Sequence, residues 1–289
     1  MINILLCILS STLIFILFKL IDRFKAFTFQ SIIINYLVAF ILGLSISSDW
    51  GNLSQVHEKS WFILSLILGI LFIVTFFFIG VSSQKAGISI TTVACKMSVI
   101  VPVAFSILFY SEAVTSFKII GLVVSLVALL LTIWRKPEKK QDLFVVILPF
   151  ILFIGIGVID TLVKYAQQDY VKNDVSFFTA VSFGVSLIAG LIAGFTRKNF
   201  LKGFQNFSTI TLGIMLGMAN FGSVYFMINA LNKSGLESSV VFGINNIGIV
   251  TISVFVGLIF FKEKLKFINW SGVFLSIIAI WLLMGMHGF

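Results

Sequence analysis

The chain has 289 residues, 59% of them hydrophobic and 11% charged, with a net charge of +9. Soluble domains carry roughly 45–50% apolar and about 25% charged residues, so a water-facing globule is excluded and an integral membrane protein is indicated. The positive balance is not a nucleic-acid signal, because the Lys and Arg residues lie in short segments between apolar runs and form no reader motif or basic patch.

A membrane helix needs about 20 largely apolar residues. Ten such runs follow one another, at 2–21, 29–47, 60–80, 86–110, 116–134, 143–165, 174–195, 208–231, 236–261 and 267–286. The segments between them are short and leave no room for a soluble catalytic or sensor domain. The first run lacks a basic leader and a small-residue cleavage site, so it reads as a span and not as a signal peptide. Cys7 and Cys95 both fall inside spans, which suits neither a disulfide nor a metal cluster. Trp61, Trp134 and Trp270 fall at span ends, as an interfacial aromatic belt predicts. Gly213 and Gly217 offer another helix a close approach in the eighth span, and Ser234 with Glu237 predicts a capping box opening the ninth. Residues 135–142 form a charged linker containing Pro137 and divide the spans five and five, into 1–134 and 143–289. Fourteen Lys and Arg residues follow the odd-numbered spans and five the even-numbered ones, Lys164 among the five, which predicts both termini outside the cytoplasm.

The fourth run is the one that departs from plain hydrophobicity. It holds Lys96 near its centre and Pro102 six residues on. A charge at that depth costs about 2.5–3.5 kcal/mol on insertion scales and faces protein or a watery cavity. Thr92, Val99 and Val103 share its helix face. Pro102 has no N–H, which predicts a kink and a free carbonyl at Ser98. Lys96 reads either as an anchor for an anionic substrate group or as half of an ion pair locking two helices. Asp160 in the sixth span is its most plausible partner, or a proton carrier, or a pair with Lys164 one turn on. Asn245 and Asn246 in the ninth span are candidate substrate ligands, since an amide offers both donors and acceptors. Interhelical hydrogen bonding is their alternative. Asn35, Asn220 and Tyr225 are further cavity candidates. Glu112 and Glu263, at span ends, read as turn or capping residues, and His57 and His287 lie outside the spans. No catalytic or phosphate-cradling motif and no metal or cofactor signature is present, so the chain does not read as an enzyme.

The two halves repeat. Residues 77–87 match 225–235 without a gap, sharing Phe78 with Phe226, Lys85 with Lys233 and Gly87 with Gly235. Glu112 and Glu263 then match, as do Gly121 and Gly272, Lys19 and Lys164, Asn35 and Ser182, and Gly43 and Gly190. With five spans in each half, the second half must be inverted relative to the first. Such repeats place substrate near the midplane between them. Lys96 falls at the depth of the stretch containing Asn245 and Asn246.

Two five-helix halves with a kinked fourth helix, an acidic turn and a glycine-bearing fifth helix resemble the drug/metabolite transporter superfamily, EamA type. The run from Val101-Pro102 through Glu112 to Gly121, and that from Phe260 through Glu263 to Gly272, carry the resemblance. It implies an all-α membrane protein of ten transmembrane helices in two inverted five-helix repeats, exporting or exchanging a small metabolite, amino acid, nucleobase or drug across the cytoplasmic membrane. Members usually keep both termini in the cytoplasm, opposite to what the charge count predicts here. The expected partners are the bilayer, a small-molecule substrate and, for coupling, protons, with the protein a monomer or homodimer. A sugar-phosphate or nucleotide-sugar exchanger and a non-transporting scaffold or receptor are the alternatives.

Overall fold

The computed structural model describes residues 1–47, 50–109, 115–134, 143–171, 175–196, 200–236 and 238–283. The charged linker, Glu112, Glu237 and His287 lie outside them. Among the described residues the chain forms α-helices and no strand: α1 (Ile2–Arg23), α2 (Thr28–Ile46), α3 (Phe62–Lys85), α4 (Ile88–Met97), α5 (Ile100–Phe109), α6 (Ser116–Ile133), α7 (Leu143–Asp169), α8 (Val175–Phe195), α9 (Phe207–Lys233), α10 (Ser238–Ile259) and α11 (Phe267–Leu283). Eight segments among the described residues are long and apolar enough to cross a bilayer, α4 and α5 counting together as Ile88–Phe105. The apolar stretches within α6 and α11, Ile119–Thr132 and Phe267–Leu282, are shorter.

Polarity is distributed as a membrane demands. Leu5, Leu9 and Leu13 form an exposed stripe at helical spacing along α1, and Val123, Leu126, Val127 and Leu130 do the same on α6. Such faces would aggregate in water. Many hydroxyls inside the helices, in contrast, are turned back onto the backbone. Ser125, Thr132, Thr161, Thr179 and Ser182 each donate to the carbonyl four residues before, which satisfies them where no water can. This is a multi-pass helical membrane protein.

The helices gather into two compact units, each built from two segments distant in the sequence. The first comprises residues 1–80 and 162–233, the second 81–161 and 234–289, so α3 and α7 run from one into the other.

In the first unit α9 packs on α1 and α2, and α8 on α2. The approach of α9 to α2 depends on the glycine pair. A Cβ at Gly213 would lie 2.8 Å from that of Ile34, and one at Gly217 would lie 2.6 Å from the Asn35 carbonyl oxygen. Asn206 caps α9 by accepting from the Thr209 N–H at 3.0 Å, and the Thr209 hydroxyl accepts from Phe27 N–H at the start of α2, also at 3.0 Å. Trp61 departs from the expected interfacial belt. It is 2% exposed, held edge-on by Phe177 and Phe178, whereas Trp134 and Trp270 are exposed. Position at a span end places an aromatic near the interface but does not say whether a neighbouring helix covers it.

In the second unit α6 packs along α11, and α4 packs on α10. Its apolar core joins Ile90, Val93, Ala94 and Met97 of α4 with Val250 and Val254 of α10. The fourth span is broken, and the break lies at Ser98–Val99 instead of at Pro102. The Ser98 carbonyl, expected to be free, accepts from Val101 N–H at 2.9 Å. The physical reason is local. Pro102 cannot reach back four residues to Ser98, so the residue before it closes a tighter turn on the same oxygen.

Candidate functional site

The break puts Lys96 in the last turn of α4, where an ammonium is favoured by the negative end of the helix dipole. Helix α7 lies against the break. A Cβ on Gly157 would collide with the Val101 side chain and come within 3.2 Å of the Ser98 carbonyl oxygen. One turn beyond Gly157 the Asp160 carboxyl stands within Coulombic range of Lys96, and the buried Cys95 thiol is within range of both. Lys96 and Asp160 are each half-buried. Asp160 is deeper in its helix than the sequence predicts, because α7 continues to Asp169. Valine at Gly157 is therefore expected to push α7 off the break and weaken the Lys96–Asp160 interaction. Cysteine cross-linking between positions 96 and 160 should drop about tenfold against the same pair with Gly157 intact, on the scale of an overpacking penalty of 1–3 kcal/mol.

Three polar side chains in this unit stand out, as the Thr12 and Tyr36 hydroxyls do in the first. Among the described residues Thr92 Oγ1, Ser253 Oγ and both ends of the Asn245 amide have no hydrogen-bond partner, and each residue is at most 1% exposed. A buried polar group left unmet costs about 1–3 kcal/mol. Asn246 is also buried, at 4% exposure. The second unit thus contains Lys96, Thr92, Asp160, Asn245 and Asn246.

Asn35, Asn220 and Tyr225 belong to the first unit. With its amide turned so that nitrogen meets acceptors, Asn35 donates to the Leu216 carbonyl and touches the Asn220 amide, both at 3.1 Å. Both residues are buried, and they tie α2 to α9. Tyr225 stacks on Phe221 with ring centroids 5.3 Å apart and meets Phe226 edge-on.

Three features escape a reading of the sequence. Lys164, counted there among loop cations, is 8% exposed inside α7; its match to Lys19 was the available signal. Glu263 does cap, but its target is α4. Its carboxylate accepts from Ile88 N–H at 2.6 Å, Ser89 N–H at 3.1 Å and the Ser89 hydroxyl at 2.7 Å. Gly87, at φ +102°, makes room for it. Asn269, unremarked in the sequence, accepts from Lys266 N–H at 3.0 Å and donates to the carbonyls of Thr132 and Trp134, both at 2.9 Å, closing the end of α6. Among the described residues no group of three or more His, Cys, Asp or Glu side chains is placed to hold a metal ion.

Fold and site together define an all-helical, multi-pass membrane protein with charged and amide side chains set between its helices. No protein-family model matches the chain. It is 28% identical over 289 residues to an uncharacterized protein of Haemophilus influenzae, with 97% of each chain covered. A crystal structure 12% identical to it shares the fold, at a TM-score of 0.57 over 96% of this chain and 95% of that one.

Proposed function

We propose that the protein is a secondary transporter of the EamA-type drug/metabolite class, with ten transmembrane helices in two inverted five-helix repeats, moving a small polar metabolite across the cytoplasmic membrane by alternating access. It is not an enzyme in this reading and needs no cofactor. The observation that carries the proposal is Asn245, a buried amide with no partner at either end among the described residues, on the helix that packs against α4 with its orphaned Thr92 and its Lys96. Polar groups left unmet between membrane helices suit a ligand that completes them. Lys96 would hold an anionic group, Asn245 and Asn246 the polar remainder, and Asp160 would carry a coupling proton or release Lys96 when substrate arrives.

The repeat draws support from packing. Three of the five pairs of helices equated by the two halves pack together, α2 with α8, α4 with α10 and α6 with α11. The matched glycines Gly87 and Gly235 both take left-handed backbone, at φ +102° and +71°.

Lys96→Ala is expected to reduce transport about tenfold or more, the scale of a lost charge-assisted hydrogen bond. Substrate is first found by thermal-shift screening of the purified protein against amino acids, nucleobases, sugar phosphates and cationic drugs, then followed into proteoliposomes. Well-folded Lys96→Ala protein that moves every stabilising compound at the wild-type rate would remove the centre of the proposal. One observation favours a phosphorylated-sugar or nucleotide-sugar exchanger as the second reading. Such a substrate calls for more than one membrane-embedded cation, and Lys164 is buried one turn beyond Asp160 on α7. Selective stabilisation by sugar phosphates would decide for it.

A further inference from the structure

The turn joining α10 to α11 contains Lys262, Glu263, Lys264 and Lys266. All three lysines are exposed, whereas the Glu263 carboxylate is turned inward onto the first amides of α4. The acidic residue within this turn is thus already engaged, and three exposed lysines fall within five residues at the end of an apolar helix. Phe267 is 90% exposed directly beside them, and Trp270 43% exposed one turn into α11. The α1–α2 turn offers a contrast: it holds Arg23 and Lys25, but an exposed Asp22 lies next to them.

The two turns share a backbone feature, so charge alone separates them: Lys25 adopts φ +51° and Lys262 φ +52°, and the N–H after Lys262, that of Glu263, closes the end of α10 on the Gly257 carbonyl at 3.0 Å. Glycine meets this left-handed requirement without strain, and lysine does not.

We infer that the α10–α11 turn is a docking surface for the headgroup of an anionic membrane phospholipid. The three ammonium groups meet the phosphate and any further negative charge, while Phe267 and Trp270 enter the adjoining acyl and interfacial layers. Charge complementarity selects the lipid class, and the aromatic side chains favour a lipid over a free ion.

The test uses the full-length protein. Retention of phosphatidylglycerol against phosphatidylcholine is followed by native mass spectrometry and by thermal unfolding in nanodiscs of the two lipids. The wild type is expected to retain phosphatidylglycerol preferentially, and the triple variant K262Q/K264Q/K266Q to bind it on the order of 100-fold more weakly. Lys262→Gly keeps the turn and relieves its backbone, so it should unfold no earlier than wild type in phosphatidylcholine while losing part of the phosphatidylglycerol effect. Lys25→Gln is expected to change little. The inference is overturned if wild type retains both lipids equally, if the triple variant keeps the preference, if Lys25→Gln loses as much, or if inorganic phosphate alone protects as well as the lipid.

Discussion

Glu263→Ala is expected to lower the unfolding free energy by about 3 kcal/mol, since hydrogen bonds to a charged acceptor contribute roughly 1.5–3 kcal/mol and orphaned buried donors carry their own penalty. The substitution strips the acceptor from two backbone N–H groups and one hydroxyl at the start of α4. These are among the amides a helix cannot satisfy internally. Glu263→Gln keeps an oxygen but not the charge, and should lose about half as much. Thermal unfolding in one detergent measures the total. Hydrogen exchange locates it, with the Ile88 and Ser89 amides opening before the rest of α4. An unchanged midpoint with intact protection at both amides would show that the clamp contributes nothing.

Gly272→Val is expected to be of similar size, about 3 kcal/mol, by a different route. A side chain there would collide with the Thr132 amide nitrogen and hydroxyl and come within 2.9 Å of the Ala128 carbonyl oxygen. Backbone atoms cannot swing aside as a rotamer can, so α11 must part from α6 along their shared seam. Gly235→Ala is the control. Its φ is +71°, but a Cβ there meets nothing within 4 Å, and the loss should stay near 1 kcal/mol. Chemical unfolding of the two variants side by side separates steric from conformational cost. Equal midpoints would mean that the α6–α11 approach is not tight.

The helices were readable from the sequence because eight of the described segments are long apolar runs, and most ends fall within a few residues of those expected. Lys96 and Asp160 were readable for the opposite reason, as isolated charges where charge is expensive. What escaped depends on partners distant along the chain. Trp61 is buried because Phe177 and Phe178 cover it. Asn269 matters because α6 ends against it, 137 residues earlier for Thr132. The acidic turn was visible as a turn, while its target, α4, was not. Even a local matter, the break before Pro102, was misplaced, since the missing N–H acts through the bond that Val101 makes instead. For the site, residue types were legible and their grouping was not: Asn35 donates to the Leu216 carbonyl and packs against Asn220, while Asn245 has no partner among the described residues.

The interleaving of the two units bears on how the protein is made. Helix α2 is joined to α9 through Phe27 and Thr209, 182 residues apart, and α6 to α11 through Asn269. A ribosome that has delivered the first five spans has therefore completed neither unit. The first closes only after α9 emerges, and the second only with the last helix. Until then the Asn35 amide and the opening amides of α4 must wait in the bilayer without their eventual partners. Assembly is thus slow to reward the early helices, and a break in synthesis late in the chain leaves the unit that contains Lys96 unfinished.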